Sequence, residues 1–311
     1  MTGDEFDPRK PFRRADLPAG SMSEWQLRRV HRLVFHGVHI HKDVELTPAV
    51  LAGAALLAAP PESYVSHHTA AVLWGGVVPE HPDVHVSSPG WRCKVAGICA
   101  HRGKAGQAVT LHRGIRLTTP VQTFLDLAQT LDLVELVVLG DSLVKKGRCT
   151  TRHLVEGAST AKGPGAALAR RAAALVRKGV DSPMESRLRM LIVLAGLPEP
   201  TVDHRIHDKS GALLYRFDLA YIGWRLIIEY DGWQHAGDRD QWETDVRRDE
   251  QLDNWKIRRV VVLSKHLYNT PAETLSRIIT AMRAQGMTIP ALSTEWRRHF
   301  PSKPWDLAAP A

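Results

Sequence analysis

"LLYRFDLAYIGWRLIIEYDGWQH", residues 213–235, is the stretch that decides the fold of the C-terminal half. Two runs of aromatic and branched apolar residues flank Ile222–Gly223–Trp224–Arg225, which predicts a β-hairpin. With the turn centred on Gly223–Trp224, Asp218 lies opposite Glu229, and facing residues of an antiparallel pair share a face. Glu229 and Asp231 sit two apart on one strand, so they share a face as well. A register shift of one residue would scatter the three. Carboxylates buried side by side are costly unless something pairs or ligates them. Oxygen donors at this density suit Mg²⁺ or Mn²⁺ better than Zn²⁺. His235 closes the segment, and an ordinary imidazole pKa of about 6.5 suits a general base or acid.

Outward from the hairpin, "DSPMESRLRMLIVLAGLPEP" (181–200) predicts a helix with Ser182 as N-cap, Pro183 at its first position and a stop at Gly196. Ser182 and Glu185 have capping-box spacing. Glu185 therefore reads either as a carboxylate at the positive helix end or, with the helix packed over the hairpin, as a fourth oxygen donor. A polar helix over 238–255 and a strand in "KIRRVVVLS" (256–264) follow. Arg247, Arg248, Lys256, Arg258 and Arg259 read as sequence-independent phosphate contacts. The competing reading for the helix is a solvated face of ion pairs involving Arg247, Arg248 and Asp249.

The segments "SPMESRLRMLIVLAGLP", "RFDLAY", "IIEYDGWQH", D-x2-R-x3-L at Asp245–Leu252 and "WKIRRVVVL" occur in this order. Together they resemble an uncharacterised bacterial family of restriction-endonuclease-like domains, akin to the very short patch repair (Vsr) mismatch endonucleases. The likeness covers roughly residues 182–280. It implies an α/β/α domain of the PD-(D/E)XK nuclease superfamily acting on DNA with Mg²⁺ or Mn²⁺. Asp218 matches the motif's Asp and Glu229 its Glu, with ten residues between them. Carried over by position, Glu185, Asp218 and Glu229 would hold the metal, and Asp218, Glu229, Asp231 and His235 would form the catalytic set. The motif's Lys position holds Asp231. That departure leaves two readings, an extra metal ligand or contact with metal-bound water, or the mark of a lost activity.

In the N-terminal half, residues 1–20 read as a loose arm. "SEWQLRRVHRLVFH" (23–36) carries Trp25, Leu27, Val30, Leu33 and Val34 at helical spacing and predicts a helix stopped at Gly37. A strand in "VHIHKDVEL" would complete a small winged-helix-like unit, while an ordinary amphipathic helix explains the same pattern. Thr47 and Pro48 start a helix, Ser66 starts another that ends at Gly75–Gly76, "DVHVSSP" and "VTLHRGIRLTTP" alternate like strands, and Thr119–Pro120 opens a further helix. "SHHTAAVLWG", "LTTPVQTFLDLAQTL" and "GDSLVKKGRCTTRHL" resemble the core of AbiEi-type antitoxin domains of abortive-infection systems, over about residues 60–155. In that family a winged helix binds DNA and represses transcription, and the antitoxin likeness implies a partner toxin. The corresponding segment here is abbreviated, a degenerate winged helix.

The fold expectation is α/β in two parts. It comprises a loose arm (1–20), an antitoxin-like mixed α/β domain (21–156), a linker with a basic helix (157–180), a restriction-endonuclease-like α/β/α domain (181–290) and a tail (291–311). The 311 residues give room for two domains, and a hydrophobic fraction of 44% supports buried cores. With 41 Lys and Arg against 33 acidic residues, a net charge of +8 and a pI near 9.6, the expected partner is acidic, DNA before a membrane surface. Cys93, Cys99 and Cys149 are too few and too uneven for a disulfide framework. Cys93, Cys99 and His101 form C-x5-C-x-H, looser than a structural zinc site, and read as ordinary reduced thiols. The apolar run from Leu46 to Ala59 is broken by Pro48 and too short for a bilayer, and the N-terminus lacks the apolar core of a signal peptide. The expected location is the cytoplasm. The leading functional expectation is a metal-dependent DNA endonuclease in repair or phage defence. The alternatives are a non-catalytic DNA-binding regulator that retains the nuclease fold, and a protein-interaction module of a defence system.

Overall fold

A computed structural model describes residues 7, 9–17, 22–90, 95–104, 106–232 and 239–301, and at 239–246 the backbone alone. The protein is α/β. It divides into two compact units, residues 1–131 with 146–174, and residues 132–145 with 175–311. The division differs from a single boundary near 180, because one helix from the middle of the chain packs with the C-terminal residues. Among the described residues no helix is long and apolar enough to cross a membrane.

The first unit opens with β1 (Phe12–Arg13), α1 (Glu24–Val30), β2 (His31–Phe35) and β3 (Val38–His41). These strands form an antiparallel sheet in the order β1-β3-β2. The helix expected over 23–36 thus ends at Val30, and its second half is a strand. His31 and Phe35 are buried on the sheet, and pairing with β3 satisfies backbone groups that a helix would have satisfied internally. Gly37, at φ 74°, turns the hairpin instead of stopping a helix. α2 (Pro48–Ala58) begins as expected, Val50 N–H donating to Thr47 Oγ1 at 3.4 Å. Its Ala54 and Ala55 pack against Phe35, Val38, Val84, Val86 and Ile98.

β4 (Tyr64–Val65), α3 (His67–Trp74), β5 (Val84–Ser88), β6 (Ile98–Arg102), β7 (Val109–His112), β8 (Ile115–Thr118) and α4 (Pro120–Leu127) follow. The strands make a mixed sheet in the order β6-β5-β4-β8-β7, with β5–β6 and β4–β8 parallel. α5 (Leu133–Lys145) belongs to the second unit. α6 (Thr151–Thr160) and α7 (Ala166–Leu175) follow it; α7 is the basic helix expected after the linker, and α6 runs into the start of the stretch expected to be linker.

The second unit continues with α8 (Pro183–Leu194), β9 (Thr201–His207), β10 (Leu213–Tyr221), β11 (Leu226–Asp231), α9 (Arg239–Asn254), β12 (Arg258–Leu263), α10 (Ser264–Tyr268) and α11 (Pro271–Ala284). Its sheet runs β12-β11-β10-β9, antiparallel except for the parallel β11–β12 pair that α9 connects. α9 covers one face, where Leu252 and Trp255 pack with Phe217 and Ile227. Leu226 and Ile228 alternate with Ile227 and turn to the other face, and α8 and α11 both pack against β11. α5 is tied to α8 by a buried polar network. The fully buried Arg189 donates to Asp141 at 3.0 Å and to Glu199 at 2.9 Å, and Ser186 Oγ donates to the same Asp141 oxygen at 2.7 Å. Burial pushes the Asp141 carboxyl up, and Arg189 opposes that shift.

Candidate active site

The β10–β11 ladder pairs Tyr221 with Leu226, Ala220 with Ile227 and Leu219 with Ile228. The ladder ends there, one step short of Asp218 and Glu229. The turn between the strands is a short 3₁₀ segment, Ile222–Trp224, closed by Arg225 in the left-handed region at φ 51°. The register is the one that a turn centred on Gly223–Trp224 demands. Past the end of the ladder, Asp218 Oδ2 accepts the backbone N–H of Tyr230 at 2.9 Å, so a side chain holds the two strands together there.

Glu185 enters from the first turn of α8. Its own N–H donates to Ser182 Oγ at 3.1 Å, and its carboxylate accepts the N–H of Asp181 at 2.9 Å. It is a cap, as its spacing required, and it is also buried. Burial raises its pKa, and the charge of Asp218 adds to the rise. Asp218 is pushed up to about 6, first by burial, with Glu229 adding to the shift and the Tyr230 N–H opposing it. The helix and the hairpin therefore bring Glu185, Asp218 and Glu229 into one electrostatic neighbourhood.

Glu229 has a second character. Its carboxylate makes an ion pair with Arg248 of α9, and Arg259 Nη1 of β12 lies 3.7 Å away. Burial raises the Glu229 pKa while both arginines pull it down. Arg248 also stands over the Phe217 ring at 5.3 Å. Arg259 divides its charge between Glu229 and Asp249, 3.3 Å from the latter. Two of the five expected phosphate-contacting cations are thus engaged with acidic groups of the fold. Arg247, Lys256 and Arg258 are exposed.

Asp231 is exposed at the last position of β11, level with Leu263 of β12. His235 lies outside the described residues. Glu185, Asp218 and Glu229, the last paired with Arg248, offer carboxylate oxygens, the donor chemistry of a hard cation such as Mg²⁺ or Mn²⁺. Their oxygens are not drawn to within 4.8 Å of one another. Among the described residues, that degree of convergence belongs to His67, His85 and His101 of the first unit. Arg216, His67 and His85 did not stand out in the sequence, whereas His101 did, as the end of C-x5-C-x-H. Arg216 pairs with Asp181 and Asp203 and lowers the Asp218 pKa. A polar residue two before Asp218 on the same strand was the available signal.

No family model matches the chain. It is similar to two uncharacterized proteins of Mycobacterium tuberculosis, MT2308 of strain CDC 1551 and Rv2248 of strain H37Rv. It is 26% identical to each over 163 residues, covering 52% of this chain and 59% of the relative. The chain thus spans about 59% of the length of the curated relatives it matches.

Proposed function

We propose that the second unit is a divalent-metal-dependent endonuclease hydrolysing phosphodiester bonds in DNA. The observation that carries this reading is Asp218, anchored on the Tyr230 N–H and within electrostatic reach of both Glu229 across the hairpin and Glu185 of α8. The order helix, three antiparallel strands, helix and parallel strand supports it, as does the net charge of +8. A divalent cation at these oxygens supplies water activation and relief of charge on the scissile phosphate. The protein's part is to hold the donors. Tyr230 N–H orients Asp218, and Asp181 N–H with Ser182 orients Glu185. Arg248 and Arg259 offset the burial of Glu229, and with Glu229 held by a metal they would be cations available to phosphate oxygens. Asp231 is proposed as an acceptor for metal-bound water, and His235 as general base or acid.

A second reading draws on one specific observation, the Arg248–Glu229–Arg259 ion pairs. These suit a DNA-binding regulator that keeps the nuclease framework and has replaced the metal with arginine. Purified protein separates the two. The endonuclease nicks supercoiled plasmid with Mg²⁺ or Mn²⁺, and Asp218→Ala lowers the rate at least about 10³-fold. Absence of cleavage of any DNA form, together with absence of Mg²⁺ or Mn²⁺ binding, overturns the endonuclease reading. The regulator instead shifts DNA without metal, and Glu229→Ala leaves that shift intact.

A further inference from the structure

The first unit carries a histidine cluster that the nuclease reading does not use. His67 opens α3, His85 lies on β5 and His101 on β6, and one ring nitrogen from each falls within 4.8 Å of the others. β5 and β6 are parallel neighbours, and Ser87 is the residue level with His101. His85 Nδ1 and His101 Nε2 are 2.8 Å apart, and the His67 ring stacks on His101 with centroids at 3.7 Å. Cys99 Sγ lies 3.5 Å from the same His101 nitrogen. His68 and His81 border the group, their rings 4.8 and 4.2 Å from that of His85.

Packing alone does not explain this arrangement. His85 is 3% exposed, and its Nε2 has no hydrogen-bond partner among the described residues. His68 Nδ1 is buried without a partner too. An unsatisfied buried polar atom is destabilising, and apolar side chains on β5 and α3 would avoid that. His67 also holds φ 49°, an uncommon region for a residue with a Cβ. Its Nδ1 lies 2.9 Å from Ser66 Oγ, which in turn accepts from Ser87 Oγ at 2.7 Å. That Ser–Ser chain fixes the ring, the kind of outer support that metal-ligating imidazoles have. Ser66 occupies the N-cap position yet gives its side chain to this chain instead of the helix. Burial, with mutual repulsion second, pushes His67 down to about 3 and His85 to about 2, and lowers His101. The imidazoles are therefore neutral at pH 7, the form that ligates metal.

We propose that His67, His85 and His101 form a Zn²⁺ site in the first unit. The donor set decides the ion: three imidazole nitrogens beside a thiol suit a borderline-soft cation and disfavour Mg²⁺ or Ca²⁺. The facing nitrogens of His85 and His101 share one proton in the metal-free form; the ion displaces it, and the two rings part to reach Zn–N bonds of about 2.0–2.1 Å. Three protein nitrogens leave a fourth tetrahedral position for water or Cys99. The half-buried His101 and the exposed His81 mark the side open to solvent.

The test uses the full chain, stripped with chelator and then reloaded. Zn²⁺ binds at one equivalent and raises the melting temperature, and Co²⁺ gives the visible absorption of a tetrahedral complex. His85→Ala and His101→Gln each weaken Zn²⁺ binding at least about 100-fold, whereas His36→Ala, in the exposed β2–β3 turn, leaves it unchanged. Circular dichroism confirms that each variant is folded. If a variant does not fold, the Co²⁺ spectrum of the unaltered protein decides. A spectrum of octahedral type, a loading far below one equivalent, or unchanged Zn²⁺ binding in a folded His101→Gln protein overturns the proposal.

Discussion

Asp218 and Asp126 are both carboxyls pushed up to about 6 by burial, and their neighbours separate their roles. Asp218 sits among other carboxylates. Asp126 sits among amides, accepting from Gln107 Nε2 at 2.9 and 3.1 Å and from Gln122 Nε2 at 2.8 Å. Those donors lower its pKa but do not offset the loss of water. A carboxyl whose folded pKa exceeds its unfolded value near 3.8 binds its proton more tightly when folded. Stability from Asp126 is therefore full below about pH 4 and declines as the pH rises to about 6, by at most about 3 kcal/mol. Asp126→Asn removes this dependence. Calorimetry from pH 4 to 7 should show the melting temperature of the parent protein falling relative to the variant. Parallel curves for the two proteins would refute the assignment. Glu229 teaches a related point: its charge and its strand position were legible in the sequence, while its arginine partners come from two elements brought together only by folding.

At the scale of elements, the β10–β11 hairpin carries most of the functional reading. Its turn closes on Arg225 at φ 51°, a conformation in which glycine has no steric penalty. Arg225 contributes its backbone there, its carbonyl accepting from Arg258 N–H at 2.8 Å and from Gln285 Nε2 at 3.1 Å. Arg225→Gly should therefore stabilise the protein by about 0.5–1 kcal/mol, read as a higher denaturant midpoint with an unchanged slope. A lower midpoint would mean that the Arg225 side chain matters more than its backbone strain. The first unit shows the opposite case. "SEWQLRRVHRLVFH" has helical spacing throughout, yet only its first half is helix, because local periodicity carries no information about the strand waiting at Val38–His41.

At the scale of the molecule, the division into units places α5 with residues far along the chain. Asp141 of α5 is a carboxylate partner of the buried Arg189, and Glu135 takes Arg187 in a two-pronged pair at 2.9 and 2.7 Å. A fragment of residues 175–311 would leave Arg189 without Asp141, and loss of one partner from a buried pair costs about 3–5 kcal/mol. That is a large part of a domain's stability. The fragment 132–311 should melt cooperatively, and 175–311 should show no cooperative transition by circular dichroism. Cooperative melting of 175–311 at the same temperature would show that α5 is dispensable. A boundary near 180 was legible as a change in composition; the return of α5 across it was not, since a mostly apolar helix carries no mark of which core it fills.

The sequence by itself determined the elements whose signals are local. These include the caps at Thr47, Thr119 and Ser182, the glycine ends of α3 and α8, the strand β5, and a hairpin with its turn centred on Gly223–Trp224. Such features depend on residues a few positions apart, where backbone sterics and hydrogen bonding act directly. Only the tertiary structure decided what the charged groups do. It gave Arg248 and Arg259 to Glu229, and it gathered His67, His85 and His101 from a helix start and two strands. Electrostatic and ligand contacts act through space over a few ångströms. Residues separated by tens of positions become partners only when the chain has closed its sheets.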